Sequence, residues 1–204
     1  MDEQEASESQ RVTLKTYEKN FDKYLKDTPQ VLVGEFKEYM DFVLTKLNSD
    51  DSILELGSGT GRDADYIESK GFHVFRTELA NSFIEYQKSR GKEVARFNAI
   101  DGDLGIEFDM VLALAVFLHF TETEFLQAIQ NTRRHLTAGG LLILRMKTGE
   151  GEEYSYHKMG GMRYFKYWNV DRLASALTQN DFTIEDVRQT QDGKWIHVIA
   201  RNVL

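Results

Sequence analysis

The chain contains no cysteine, which excludes disulfides, thiolate metal sites and a cysteine nucleophile. An excess of positive charge is also absent, since 33 acidic residues outnumber 25 basic ones, and the formal net charge of −8 argues against a nucleic-acid partner. No apolar run approaches the roughly 20 residues that span a bilayer. The first residues are acidic and polar, unlike a secretory or transit signal. These absences predict a cytoplasmic protein without a nucleic-acid or membrane partner, and no metal is expected.

What is present suffices for one α/β domain with a proper core, since the chain has 204 residues. Residues 1–10 carry almost no large apolar group and are predicted to be disordered. Residues 11–50 contain two segments with apolar residues at helical spacing, one before and one after Pro29. We expect these N-terminal helices to pack over the ligand side of a domain that spans residues 51–204.

From residue 51 onwards, short apolar runs alternate with helical patterns. The predicted strands are residues 52–56, 73–77, 94–97, 110–114 and 141–146. The predicted helices between them are residues 62–70, 81–90 and 121–135, the last with capping-box spacing from Thr121 to Glu124. Such alternation indicates a parallel sheet with right-handed crossovers. After a further helix near 170–179, Asp192-Gly193 separates two β-like runs and predicts a hairpin.

A glycine-rich turn follows the first predicted strand, in the segment Glu55-Leu56-Gly57-Ser58-Gly59-Thr60-Gly61. Glycine at alternate positions leaves no Cβ between a ligand and the backbone, and the following helix offers N–H donors. The spacing departs from the dinucleotide pattern G-x-G-x-x-G, because Arg62 stands at the last glycine position. The acidic Glu55 would repel a phosphate and suits a ligand that carries an ammonium group.

This segment resembles the first motif of the class I S-adenosylmethionine-dependent methyltransferases, acidic-x-Gly-x-Gly-x-Gly. The similarity covers roughly residues 50–202 and includes Phe108-Asp109-Met110-Val111, which resembles the family's Phe-Asp-x-Val pattern. The resemblance implies an α/β fold, a Rossmann-like three-layer sandwich whose mostly parallel seven-stranded sheet ends in an antiparallel hairpin. It also implies S-adenosyl-L-methionine as the cofactor.

In such sheets the ligand lies beyond the C-terminal ends of the strands. Glu78 ends the second strand, where its carboxylate can accept both hydrogen bonds of a ribose diol; the alternative is a favourable charge at a helix N-terminus. Asn98 stands where the family usually has an Asp that accepts the adenine amino group, and Asp101 is the alternative acceptor. By resemblance, carbonyls near Ala113 and Leu114 meet the methionine ammonium. The cofactor-binding residues predicted in this way are Glu55, Gly57, Ser58, Gly59, Gly61, Glu78, Leu79, Asn98, Ala99, Ala113, Leu114 and Tyr24.

Two further features concern the acceptor. His119 matches a His common after the fourth strand in related sequences, and it is either a general base or substrate contact or a packing residue beside the next helix. Residues 148–168 lack clear periodicity, and about 20 such residues in a compact domain usually form a lid or binding loop. Residues 163–168 of this segment form an aromatic block, and we predict that it supplies the wall of the acceptor site. The alternative is a packing cluster under a long loop. The predicted wall residues are Tyr164, Phe165, Tyr167 and Trp168.

The sequence therefore predicts a methyltransferase that acts on a small-molecule acceptor, as a monomer or homodimer. A neutral amine or thiolate acceptor would need little beyond alignment, whereas a hydroxyl acceptor would need a base, with His119 or His157 as candidates. Two alternatives stay open. One is a non-catalytic S-adenosylmethionine-binding protein; the other, disfavoured by the glycine spacing and the hairpin, is a nicotinamide-dependent oxidoreductase.

Overall fold

A seven-stranded sheet forms the centre of the computed structural model, which describes residues 7–156 and 159–203. The strands, in chain order, are β1 (Ile53–Glu55), β2 (Val74–Glu78), β3 (Ala95–Arg96), β4 (Phe108–Leu114), β5 (Leu136–Lys147), β6 (Glu152–Ser155), β7 (Arg163–Lys166), β8 (Phe182–Gln189) and β9 (Trp195–Asn202). The order in the large sheet is β3-β2-β1-β4-β5-β9-β8. The first five of these are parallel, and β9 runs antiparallel to both β5 and β8. The predicted fold class is confirmed.

Helices cover both faces of the sheet. They are α1 (Glu8–Lys19), α2 (Phe21–Asp27), α3 (Gly34–Leu44), α4 (Arg62–Glu68), α5 (Asn81–Ser89), α6 (Glu122–Arg134) and α7 (Val170–Thr178). One core contains Met40 of α3 and Ile67 of α4 packed on the sheet, and the other contains Phe125 of α6 and Leu173 of α7. The start of α6 has the predicted capping box, in which Thr121 and Glu124 each bond the other's main-chain N–H.

The N-terminal region differs from its prediction in two respects. α1 begins at Glu8, inside the segment expected to be disordered, because Ser7 caps the helix and Ser9 donates to the Glu124 carboxylate at 3.1 Å. Residues 1–6 lie outside the described residues. α1 contacts α5, β7 and the 3₁₀ turn Phe117–His119 near the C-terminal strand ends. α3 instead packs on a face of the sheet, with Met40 and Val43 fully buried.

Residues 148–168 also differ from the expected aperiodic loop, because β6 and β7 form an antiparallel hairpin. Main-chain bonds continue the pairing beyond the strands, from Tyr167 N–H to the Gly151 carbonyl at 3.0 Å. All four residues of β7 are buried. A strand that is buried on both faces does not show the alternation of apolar and polar residues that identifies a half-exposed strand, and this is why the sequence did not predict β7.

None of the helices within residues 7–156 and 159–203 has the length and apolar character needed to cross a membrane.

Candidate active site

A cavity of about 1020 Å³ lies at the C-terminal ends of the parallel strands. Glu78 at the end of β2, Leu114 at the end of β4 and Lys147 at the end of β5 all line it, and Tyr17 of α1 and Tyr24 of α2 line its opposite side. Its size is at the upper end of the range for ligand and cofactor pockets, about 300–1,000 Å³. The cavity therefore coincides with the edge where an open α/β sheet binds its ligand.

The three motif glycines have different structural reasons, although all adopt positive φ values of 64°, 55° and 82°. Gly59 lines the cavity, and a Cβ added there would meet no atom within 4 Å, so it would extend into open space. Gly57 also lines the cavity, but its Cβ would lie 2.7 Å from a methyl of Val116. A Cβ on Gly61 would lie 2.6 Å from the Arg76 guanidinium. Gly61 does not line the cavity. In this structure a glycine is needed there because a side chain would clash with Arg76.

Glu78 faces the glycine loop and is only 8% exposed. Its Oε2 accepts from Gly59 N–H at 2.8 Å, and its Oε1 accepts from Leu79 N–H at 2.7 Å and Ala80 N–H at 3.0 Å. Burial raises the pKa of Glu78, and these three main-chain donors oppose the rise. A carboxylate has about four lone-pair sites. Three are used, which leaves one acceptor site on Oε2 of a residue that lines the cavity.

Glu55 does not reach the cavity wall as predicted. It is 2% exposed, and its Oε2 has no hydrogen-bond partner among the described residues. Burial raises the pKa of this carboxyl; the Asp63 carboxylate adds to the rise, and Arg76 opposes it. Side chains alternate along a strand, and it is Leu56, the next residue, that lines the cavity. In this structure Glu55 therefore does not line the cavity in which a ligand ammonium would lie.

The predicted adenine end of the site is present in part. Leu79, Asn98 and Ala99 line the cavity. The Asn98 side-chain oxygen accepts from Ile100 N–H at 3.0 Å, which fixes a local turn. Asp101 lies instead on a separate surface depression, so Asn98 is the better placed of the two alternatives.

The end of β4 places Leu114 on the cavity wall, whereas Ala113 is fully buried and does not line it. The next wall residue is Ala115, which has a φ of 64° and donates its N–H to the Arg145 carbonyl at 3.0 Å. Positive φ in a residue other than glycine is sparsely populated and concentrates at functional sites. Sequence reasoning gave no signal for Ala115. Opposite it, burial raises the pKa of Tyr24 to about 12, so its hydroxyl keeps its proton at neutral pH.

His119 lies on the cavity wall within a chain of hydrogen bonds. Its Nδ1 is 2.7 Å from the Tyr164 carbonyl, and because a carbonyl only accepts, Nδ1 carries the proton. Its Nε2 then accepts from the Tyr17 hydroxyl at 2.9 Å, and Arg163 donates to that hydroxyl at 3.0 Å. Burial lowers the pKa of His119 to about 3. Its basic nitrogen is occupied and weakly basic, so the geometry does not support the general-base interpretation. His157, the other candidate, lies outside the described residues.

The aromatic block divides between the cavity and the core. Phe165 and Tyr167 line the cavity. Tyr164 instead donates its hydroxyl to the Glu152 carboxylate at 2.8 Å. Trp168 is 1% exposed and packs on Phe125 with ring centroids 4.5 Å apart. Successive residues of a strand face opposite sides, so Tyr164 and Trp168 do not line the cavity, whereas Phe165 and Tyr167 do.

Sequence reasoning missed a cationic part of the wall. Arg145, Lys147 and Arg163 line the cavity beside Trp195. The Arg145 guanidinium lies between two rings, with its carbon 4.0 Å from the Phe36 centroid and 4.2 Å from the Trp195 centroid. The alternation along β5, which puts residues 145 and 147 on one face at a strand end, was an available signal.

Comparison with known proteins agrees with this architecture. Residues 54–142 match the family model for a methyltransferase domain. No curated protein sequence matches the chain. The 1,6-didemethyltoxoflavin-N1-methyltransferase of Burkholderia thailandensis has a TM-score of 0.73 at 16% identity, covering 100% of this chain and 94% of that chain. A Methanosarcina mazei methyltransferase has a TM-score of 0.69 at 20% identity, covering 80% and 97%. The glycopeptide N-methyltransferase MtfA has a TM-score of 0.66 at 15% identity, covering 80% and 92%.

At these identities the solved structures establish the fold. The matched methyltransferase-domain model adds the segment that contains the glycine loop, Glu78 and the end of β4. The chain therefore contains a segment that matches a methyltransferase-domain model, and it has the fold of S-adenosylmethionine-dependent methyltransferases.

Proposed function

We propose that this chain transfers a methyl group from S-adenosylmethionine to a small-molecule acceptor. The observation that carries the proposal is a single cavity that joins the Gly59 loop and Glu78 to the Phe165 and Tyr167 wall. MtfA was crystallised with S-adenosylmethionine, and the B. thailandensis enzyme with S-adenosylhomocysteine and 1,6-didemethyltoxoflavin. Those ligands support the proposal that the cavity of this chain holds the same kind of cofactor together with a small-molecule acceptor.

The residues present fit the cofactor. The space that a Cβ on Gly59 would fill and the remaining acceptor site on Glu78 suit a ribose held against the glycine loop. We assign the methionine end to the Gly57 loop and Leu114. The protonated Tyr24 hydroxyl can donate to a carboxylate. The adenine is assigned to the wall formed by Leu79, Asn98 and Ala99.

The bound cofactor supplies a methyl group already activated by its sulfonium. The protein therefore mainly aligns the acceptor and excludes water, and alignment is worth roughly 7–11 kcal/mol of barrier in ideal cases. α1 and the β6–β7 hairpin cover the acceptor end, and the Thr13 hydroxyl accepts from Tyr164 N–H at 3.0 Å between them. This bond ties the two covering elements to each other at the acceptor end.

We assign His119 a positioning role. By accepting from Tyr17, it directs that hydroxyl and, through it, the Arg163 guanidinium. Because His119 is hydrogen-bonded at both ring nitrogens and weakly basic, the proposal favours an acceptor that is nucleophilic when bound, such as a neutral amine.

Titration calorimetry with S-adenosylhomocysteine tests the proposal. We expect a dissociation constant on the order of micromolar, about −8 kcal/mol. Tight NADH binding with no response to either adenosyl ligand would favour the oxidoreductase alternative. Release of S-adenosylhomocysteine during incubation with small amines, thiols and hydroxy compounds then separates an enzyme from a non-catalytic binding protein. The monomeric or homodimeric state and the cytoplasmic location stay predictions, for light scattering and cell fractionation.

A further inference from the structure

We propose that the acceptor is an acid, and that Arg145 binds its carboxylate. The inference rests on the proposed function, since it assigns the substrate class of the same cavity. Arg145 projects from the C-terminal part of β5 onto the cavity wall. Phe36 and Trp195 flank its guanidinium at 4.0 Å and 4.2 Å, which restricts the plane of the group.

Arg145 has no acidic partner among residues 7–156 and 159–203. No ion pair there includes it, and its buried Nε has no hydrogen-bond acceptor. Asp63 is the carboxylate that influences it most, yet both Asp63 oxygens are engaged by Arg62, at 2.7 Å and 3.1 Å. Arg145 thus lines the cavity without an ion-pair partner among the described residues, so the outer part of its guanidinium is open to a ligand, while Nε itself is shielded from solvent.

An unpaired charge in a poorly hydrated position is costly. Burial lowers the pKa of Arg145 to about 10, so the side chain is nevertheless charged at neutral pH. An incoming carboxylate offsets this cost, and the planar guanidinium fork matches a carboxylate with two parallel hydrogen bonds. A neutral ligand of the same shape gains neither effect.

The surrounding wall reinforces this preference. The Lys147 ammonium and the Arg163 guanidinium each lie 4.8 Å from the centroid of the Phe165 ring. Burial is the largest cause of the lowered pKa of His119, and Arg163 and Lys147 lower it further. The formal net charge of the chain is −8, so this group of cations is a local feature of one part of the wall; Asp63, Glu78 and Glu153 also line the cavity.

The test uses benzoate and its neutral analogue benzamide as probes, with ligand-observed NMR titrations in the presence and absence of S-adenosylhomocysteine. We expect benzoate to bind the unmodified protein about tenfold more tightly than benzamide. Arg145→Gln should lower benzoate affinity about tenfold, a change equivalent to 1.4 kcal/mol. Arg145→Lys keeps the positive charge but lacks the planar guanidinium, so its benzoate affinity should lie between those of the unmodified protein and Arg145→Gln. The matched control is Lys194→Gln, which removes a cavity-lining charge that is 75% exposed and paired with Asp192 at 3.2 Å.

Several outcomes overturn the inference. They are equal affinity for the two probes, no binding of benzoate, and benzoate affinity that is the same in Arg145→Gln and Lys194→Gln. Parallel loss of benzoate and S-adenosylhomocysteine affinity in Arg145→Gln also overturns it, because Arg145 would then hold the cofactor carboxylate. Thermal melts confirm that each variant is folded, and Arg145→Lys provides the comparison if the Gln variant is not. Arg145-dependent benzoate binding without any S-adenosylhomocysteine binding would instead refute the proposed function and leave the anion site standing.

Discussion

Alanine substitution at the motif glycines should separate ligand contact from internal packing. Gly59→Ala places a methyl group in the cavity without touching the protein, because no atom lies within 4 Å of the added Cβ. Gly61→Ala does the reverse, because its Cβ would meet Arg76 at 2.6 Å and Gln87 at 2.7 Å, away from the cavity wall. The two substituted positions are only two residues apart. Gly59→Ala should mainly lower ligand affinity, whereas Gly61→Ala should mainly lower the stability of the fold.

The magnitudes follow from backbone strain and from the clash. Alanine in the left-handed region costs about 1–2 kcal/mol. For a chain of this size the Tm falls by about 2–4 °C per kcal/mol, so we expect Gly59→Ala to melt roughly 2–8 °C lower. Gly91→Ala is the matched control, since Gly91 has a φ of 75°, open space around its Cβ and no place on the cavity wall. Gly61→Ala adds an overpacking cost of about 1–3 kcal/mol, because Arg76 is 3% exposed and paired with Asp65 and Glu68.

The assay combines thermal melts with calorimetric titration of S-adenosylhomocysteine. Gly59→Ala should bind at least about tenfold more weakly, equivalent to 1.4 kcal/mol. Gly91→Ala should have the same Tm as Gly59→Ala but bind S-adenosylhomocysteine normally. Gly61→Ala should lose the most stability, while its folded fraction binds the ligand normally. The reasoning is refuted if Gly59→Ala binds as well as Gly91→Ala, or if Gly61→Ala is no less stable than Gly91→Ala.

Three other predictions follow from the site. Glu78→Ala leaves three main-chain N–H groups without their acceptor, so urea unfolding should show a loss of about 2–5 kcal/mol and calorimetry a cofactor affinity weaker by about 1.5–3 kcal/mol. Phe165→Leu should lower kcat/KM for an identified acceptor about tenfold at constant cofactor affinity, whereas Trp168→Phe should lower only the Tm. Burial lowers the pKa of His119 to about 3, so the unfolded chain binds the proton first as pH falls below about 6.5. The stability that neutral His119 contributes is complete above that pH, and about 2 kcal/mol is lost by pH 5. His119→Gln should flatten this part of the unfolding free energy, and the exposed His73→Gln should not.

Each of these has a contrary result that is readily measured. Normal S-adenosylhomocysteine affinity in a folded Glu78→Ala variant would remove the ribose assignment. Equal loss of affinity and turnover in Phe165→Leu would make that ring part of the structural core. An unchanged slope of unfolding free energy between pH 7 and 5 in His119→Gln would mean that this ring is solvated in the native state.

The fold was predictable because its signals are local. Alternating strand and helix patterns, the Thr121–Glu124 capping box and Asp192-Gly193 are each read within a few residues, and the structure has the corresponding elements. β5 is longer than predicted, since it begins at Leu136 rather than 141. The Gly139 turn, with a φ of 75°, lies inside a register shift that lets the chain pair with β4 on both sides of it. A glycine pair that ordinarily ends a strand here interrupts one.

The site was predictable only where backbone sequence defines it. Gly57, Gly59 and Glu78 lie on the cavity wall because strand ends and turns place them there. Side-chain direction was the source of error elsewhere. Glu55 and Ala113 belong to buried strand ends and face away from the cavity, although their neighbours in sequence line it. Recognising the β6–β7 hairpin would have divided the aromatic block, because alternation along the strand separates residues 165 and 167, which line the cavity, from 164 and 168, which do not.

The two halves of the cavity also differ in which part of the chain builds them. The glycine loop, Glu78 and the end of β4 lie within the matched segment, residues 54–142. Tyr17, Arg145 and Phe165 lie outside it, and Tyr17 meets His119 across 102 positions of sequence. Contacts of that range leave no local pattern, and they belong to the half that we assign to the acceptor. A shared methyltransferase domain is therefore compatible with different acceptors, because the residues that would select one come from α1, the end of β5 and the β6–β7 hairpin.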